Sequence, residues 1–204
     1  MSARRVLVTG ATGLQGGAVI KALQSSSKLF ELLALTRNPN SPSAKKLESQ
    51  GVRLIQGDQG SPEAVFAAAG EIDTVFLVTT PFGSSTNAEE RQGKIMFDAA
   101  QRAGVKHFVF SSVDRNGFQP TPARHFASKH FIEKHIMDNA ATTEWTILRP
   151  VAYMDNIVKG MRTRIFLTAL EAYLGRNQPL QYIAVEDIGK IAAIAIEVRP
   201  FDNL

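Results

Sequence analysis

The 204-residue chain contains no cysteine and a single tryptophan. Without cysteine there are no disulfides, no thiolate nucleophile and no Cys-ligated zinc, which fits a reducing compartment. No apolar run approaches the roughly 18 residues that a membrane-spanning helix needs, so no membrane partner is expected. The opening Met1-Ser2-Ala3-Arg4-Arg5 leads straight into a short apolar segment, whereas a secretory signal needs a longer one and a small-residue cleavage site. The chain therefore reads as intracellular, cytoplasmic in the first instance with the nucleus as the alternative. Runs of like charge are also missing. The net charge is +4 and the pI about 9.5. A basic surface attracts polyanions, but without clustering the surplus describes scattered solvated side chains, and direct nucleic-acid binding is not expected.

What is present suffices for one substantial α/β core. Hydrophobic residues make up 44% of the chain and charged residues 21%, ordinary values for a globular protein of this length. Apolar strand-like runs recur at Arg4 to Thr9, Glu31 to Thr36, Val52 to Ile55, Asp73 to Val78, Lys106 to Ser111 and Trp145 to Leu148. Helical patterns lie between them, over Ala18 to Gln24, Ser41 to Gln50, a segment opened by Ser61-Pro62-Glu63, Ala88 to Ala103 and Ala123 to Asn139. Ser61 suits an N-cap with Pro62 at the first helical position, and Gly51 suits a left-handed C-terminal cap. Continuous apolar strands alternating with helices imply a Rossmann-type doubly wound parallel sheet with helices on both faces. Residues 1–150 are read as the nucleotide-binding domain. Residues 151–204, with a short run at Leu180 to Ala184 and a helix from Glu186 to Val198, are read as a small incomplete C-terminal subdomain. Trp145 is expected in the core.

Gly10-Ala11-Thr12-Gly13-Leu14-Gln15-Gly16 joins the first strand to the first helix. This context gives the glycine spacing its meaning. The first glycine turns the chain, the second admits backbone to a pyrophosphate, and the third lets helix pack on strand. The helix N-terminus offers free amides and a positive dipole end. An enzyme that prefers NAD places a carboxylate about 20 residues further on. Here the second strand ends Thr36-Arg37-Asn38-Pro39. Arg37 can pair with a 2′-phosphate, so the expected cofactor is NADP(H). Lys45 and Lys46 read as an exposed helix face. Asp58 and Gln59 are placed near the adenine edge, and Thr79, Thr80 and Pro81, after the fourth strand, are read as walls of the adenosine or nicotinamide ribose, with ordinary loop chemistry as the alternative.

The chain resembles the NmrA-like family of atypical short-chain dehydrogenase/reductases. The resemblance rests on Val8 to Gly17, Thr36 to Pro39, Gln56-Gly57-Asp58, Thr79-Thr80-Pro81, Phe108 to Val113, Leu148-Arg149-Pro150 with Tyr153 to Asn156, and Val185 to Gly189. It implies an NADP-binding fold, to which Pro150 and Tyr153 also contribute. It also implies a chain that stops short of the family's usual length. Family members include redox-responsive regulators of transcription and true reductases.

Catalytic short-chain dehydrogenases carry Tyr-x-x-x-Lys on a helix. Here Lys129 is present, but His125 stands four residues before it. A neighbouring ammonium disfavours imidazolium, and neutral imidazole is a poor proton donor. His125 is therefore read as a polar wall, and Lys129 as a ribose ligand, with an exposed helix lysine as the alternative. Ser111 and Ser112 end the fifth strand, where a substrate-polarising hydroxyl would stand, with simple capping of the strand as the alternative. His125, His130 and His135 fall about 140° apart around a helix, and no metal site is expected. The leading expectation is an NADP(H)-binding redox regulator acting through a protein partner such as a transcription factor, with the oligomeric state open. The alternative is an NADPH-dependent reductase of a quinone or similar carbonyl compound.

Overall fold

A computed structural model describes residues 3–80, 87–115, 124–157, 168 and 179–198, with the side chains of Arg124 and His125 outside that description. Six strands form one sheet: β1 (Arg4–Val8), β2 (Phe30–Thr36), β3 (Arg53–Gln56), β4 (Thr74–Val78), β5 (His107–Ser111) and β6 (Glu144–Leu148). Their order is β3-β2-β1-β4-β5-β6, and every neighbouring pair is parallel. This is the doubly wound Rossmann arrangement expected from the alternating pattern. The crossover from β3 to β4 opens a crevice between β1 and β4 at the carboxyl ends of the strands.

The connecting helices are α1 (Leu14–Gln24), α2 (Pro42–Ser49), α3 (Pro62–Ala69), α4 (Ala88–Arg102) and α5 (Arg124–Asn139). A further helix, α6 (Val185–Glu197), follows a two-stranded parallel ribbon of β7 (Ala152–Tyr153) and β8 (Tyr182–Ile183). Alternate residues of each strand feed opposite faces of the sheet. Leu7, Leu33, Val75, Leu77, Phe108 and Phe110 pack with α3, α4 and α5. Val6, Val8, Leu32, Ala34, Phe76 and Val109 pack with α1, α2 and α6. Burial on both faces explains why the strands are continuous apolar runs.

Helix α6 shares the core of one face through Ala192, Ala193 and Ile196. Its close approach to α1 depends on Gly189, where a Cβ would lie 2.6 Å from the backbone of Ala18. The amide of Val185 donates to the Asp155 carboxylate at 2.8 Å. At the other end, Arg4 and Lys28 both donate to the Glu197 carbonyl. An acid at the N-terminus and cations at the C-terminus complement the helix dipole.

Local expectations differ from the fold at three places. Helix α1 begins at Leu14, four residues before Ala18, and takes Gly16 and Gly17 into its first turns. Glycine disfavours helix by about 1 kcal/mol relative to alanine, but at Gly16 a Cβ would lie 2.4 Å from the Gly10 carbonyl oxygen, so packing overrides propensity. Ser61 occupies the N-cap of α3 ahead of Pro62, yet its side chain makes no capping bond. Its amide instead closes a turn onto the Asp58 carbonyl at 3.0 Å. Trp145 is 37% exposed rather than core, because β6 is an edge strand. Gly51 and Gly104 do adopt the left-handed conformation, with φ of 82° and 75°.

Candidate functional site

The glycine segment lies at the carboxyl end of β1, beside the crevice. Gly10 has φ 59°, and a Cβ there would lie 2.6 Å from Val78 Cγ1. The Gly13 amide donates to the Gly10 carbonyl at 2.9 Å, folding the turn back on itself. Gly13 is the N-cap of α1, so the amides of Leu14, Gln15 and Gly16 open the helix without intrahelical acceptors. Gly10, Thr12, Gly13 and Leu14 are exposed, and Leu14 retains 62% of its surface. Thr9 ties this turn to β4, donating to the Val78 carbonyl at 3.1 Å and accepting from the Val78 amide at 2.9 Å.

At the end of β2, Arg37 is exposed and makes no hydrogen bond or ion pair among the described residues. The Thr36 hydroxyl accepts from the Asn38 amide at 3.2 Å, which bends the chain after the strand. Asp58 Oδ1 accepts from the Gly60 amide at 2.8 Å. Gln59 Nε2 donates to the Val78 carbonyl at 3.0 Å, while its Oε1 is buried without a partner among the described residues. Lys45 pairs with Glu48 at 2.9 Å on the exposed face of α2. Pro81 lies outside the described residues and Thr80 is exposed.

Lys129 is not a surface residue; it is 7% exposed. Its Nζ lies 2.8 Å from Thr79 Oγ1, 3.1 Å from the Thr79 carbonyl, 3.3 Å from the Ser111 carbonyl and 3.2 Å from Glu89 Oε1. Glu89 is buried and also accepts from Thr79 Oγ1 at 2.9 Å and from Ser128 Oγ at 2.5 Å. Burial lowers the Lys129 pKa from the usual lysine range, and the charge of Glu89 opposes that fall. An ammonium has three protons, so a ribose hydroxyl would have to replace one of these acceptors, most easily the distant Ser111 carbonyl. Thr79 thus supports Lys129 with a hydroxyl that is already committed.

A second buried carboxylate stands one helical turn beyond Lys129. Glu133 accepts from Arg115 at 2.9 and 3.1 Å and from Arg149 at 3.0 and 3.1 Å. It also accepts from the Ser112 hydroxyl. Burial pushes its pKa up, but the two guanidinium groups and Ser112 outweigh that, and the net shift is downward. Ser112 is therefore turned toward Glu133. This knot fastens the carboxyl ends of β5 and β6 to α5. Pro150 is buried, and its carbonyl accepts from the Asp114 amide at 2.9 Å.

The third arrangement links elements far apart in sequence. Ser111 Oγ donates to Gln15 Oε1 at 2.6 Å, and Gln15 Nε2 donates to Tyr153 Oη. Burial raises the Tyr153 pKa. The structure thus gathers Gln15, Thr79, Ser111, Lys129 and Tyr153 around the ends of β1, β4 and β5. His125 is in the first turn of α5, but its side chain is outside the described residues.

Sequence reasoning missed Glu89, Arg115 and Glu133, and it noted Arg149 only as part of Leu148-Arg149-Pro150. Glu133 had a usable signal, since it follows Lys129 at the four-residue spacing that shares a helical face. Glu89 had none, being one of two adjacent acids in the first turn of α4.

The NmrA-like family matches residues 2–200, and the chain belongs to that family. An NmrA-like family domain-containing protein from Dictyostelium discoideum is 38% identical over 111 residues, covering 54% of this chain and 36% of that protein. An NAD(P)H azoreductase from Xenophilus azovorans is 28% identical over 200 residues, covering 97% of this chain and 65% of that protein. Among solved structures, an NADPH-dependent quinone oxidoreductase from Escherichia coli, complexed with NADPH, has a TM-score of 0.73 at 25% identity, covering 95% of this chain and 65% of that one. The chain therefore spans between about a third and two thirds of these relatives' lengths.

Proposed function

We propose that this chain binds NADP(H) and belongs to an oxidoreductase that passes hydride to a quinone or related carbonyl acceptor. The observation that carries the reading is the cradle at the start of α1. Side chains at Gly10 and Gly16 would collide with their surroundings, while Gly13, which has no side chain, is exposed beside them. A pyrophosphate fits such a cradle, where the helix amides and dipole favour negative charge. Arg37, exposed and without a partner among the described residues, suits a 2′-phosphate. Gln59, held by the Val78 carbonyl at the end of β4, has a buried Oε1 without a partner among the described residues.

Bound NADPH would supply a hydride. With the adenosine held at the β2 side, the nicotinamide would extend over the ends of β4 and β5. There Lys129 contributes fixed positive charge beneath the ribose, and Thr79 and Glu89 hold that ammonium in place. The reductase reading is preferred to the partner-dependent regulator expected from the sequence. The proteins it resembles include an NAD(P)H azoreductase and an NADPH-dependent quinone oxidoreductase, and a phenol, Tyr153, stands near the site despite the histidine at position 125.

The test is calorimetric titration of the pure protein with NADPH, NADP⁺ and NAD⁺, followed by NADPH oxidation with a panel of quinones. Tight NADPH binding with quinone-dependent turnover is expected. Tight binding without turnover on any acceptor would return the regulator to first place.

A further inference from the structure

The missing tyrosine of the helical Tyr-x-x-x-Lys pattern leaves open where a reduced oxygen would obtain its proton. We propose that Tyr153 supplies it: the β7 phenol, held by Gln15, is the general acid of the site. The inference rests on the oxidoreductase reading.

The placement argues first. The pyrophosphate cradle fixes the middle of a dinucleotide at α1, and Arg37 fixes one end beyond β2. In the order β3-β2-β1-β4-β5-β6 the other end must lie over β4 and β5. Tyr153 is bonded there, through Gln15, to Ser111 at the last position of β5. Lys129 contacts the carbonyl of the same Ser111.

Bond direction argues next. Ser111 Oγ donates to Gln15 Oε1, and Gln15 Nε2 donates to Tyr153 Oη. A phenol has one proton to give and lone pairs to receive. With a lone pair occupied by Gln15, the O–H is left to donate elsewhere. Burial raises the pKa of this phenol, so it carries its proton at neutral pH. No other described side chain in the Ser111, Gln15 and Lys129 group combines a free proton with partial exposure.

In the step, hydride from the reduced nicotinamide forms a C–H bond at the acceptor carbonyl carbon. The C–O π pair moves to oxygen, and that oxygen takes the proton from Tyr153 Oη. The acceptor is reduced, the nicotinamide is left oxidised, and the phenolate regains a proton from solvent, since Tyr153 is only partly buried.

The experiment compares two acceptors in wild type and Tyr153→Phe. An aromatic α-diketone needs both hydride and proton. A triarylmethyl dye cation needs hydride alone, because its electrophilic carbon is already positive. NADPH affinity is measured separately by fluorescence titration. The expected result is an NADPH affinity within about threefold of wild type and a fall of at least about tenfold in the ratio of diketone to dye rates, since general acid help is worth roughly 10²–10⁴-fold. An unchanged ratio would overturn the proposal, as would loss of NADPH affinity in a folded variant, which would make Tyr153 a cofactor ligand. Should Tyr153→Phe not fold, Gln15→Met, which keeps the phenol but removes its holder, must lower the same ratio; an unchanged ratio there also overturns it. If the wild type reduces neither acceptor, the oxidoreductase reading itself falls.

Discussion

The ammonium of Lys129 lies 3.2 Å from the Glu89 carboxylate, with both side chains almost wholly removed from solvent. Breaking a buried pair by neutralising one partner typically costs about 3–5 kcal/mol. Glu89→Gln is expected to lose stability in that range, read by urea denaturation at neutral pH. The sign in alkali follows from the depressed Lys129 pKa. Between its folded value and the ordinary lysine value of 10.5, the unfolded chain binds more protons than the folded one, so Lys129 adds stability as pH rises. Without the opposing charge of Glu89, this rise should begin at lower pH. The double variant Glu89→Gln/Lys129→Met should lack it altogether; an identical alkaline profile in all three proteins would contradict the pairing.

Glu133 carries the opposite sign. Its pKa is below the usual 4.5, so its contribution is complete above that value and is lost as pH falls through the folded value. Glu133→Gln leaves Arg115 and Arg149 without their shared anion. A loss of about 3–5 kcal/mol is expected at pH 7. The gap to wild type should narrow below about pH 4.5. A gap independent of pH would mean that packing, rather than charge, holds this knot.

Gly13 and Gly16 should fail in different ways. A Cβ at Gly13 meets only the Gly10 carbonyl oxygen, at 3.2 Å, and the residue's φ of −95° suits any amino acid. Gly13→Val should therefore fold and lose NADPH binding, because its side chain fills the cradle. A Cβ at Gly16 lies 2.4 to 2.8 Å from three backbone atoms. Gly16→Val should lose thermal stability as well. Undiminished NADPH affinity in folded Gly13→Val would remove this turn from the site.

Under the proposed function, Arg37 would select the phosphorylated cofactor. Arg37→Ala should weaken NADPH by about 1.5–3 kcal/mol, the range for a hydrogen bond to a charged group, and leave NADH nearly unchanged. Calorimetry with both cofactors decides it; equal losses would place Arg37 elsewhere.

Gly189 tests the attachment of α6. A Cβ would meet the Ala18 carbonyl carbon and oxygen at 2.6 Å. Overpacking of this kind costs about 1–3 kcal/mol, so Gly189→Val should lower the midpoint of denaturation. A neutral result would show that α6 moves away from α1 freely.

Several features were legible because their cause is local. Continuous apolar strands separated by helical patterns specify a parallel sheet, since each strand must be buried on both faces. The glycine spacing specifies a tight turn, because side chains at Gly10 and Gly16 cannot be accommodated there. The arginine after β2 can be read by position alone. Trp145 misled for the same reason: its size argues for burial, but whether β6 has a neighbour on its outer side is not a local property.

The sequence order alone thus dictated the strand and helix alternation, the glycine turn at the end of β1 and the arginine that follows β2. The partners of the buried charges were settled by the folded chain. Lys129 meets Glu89 across the gap between α5 and α4, Glu133 gathers arginines from beyond β5 and β6, and Gln15 reaches a tyrosine 138 residues away. These contacts follow from the crossover that sets β1 beside β4 and from the angle at which helices lie on the sheet. Hydrophobic periodicity carries no information on which polar groups such an arrangement will bring within hydrogen-bond reach.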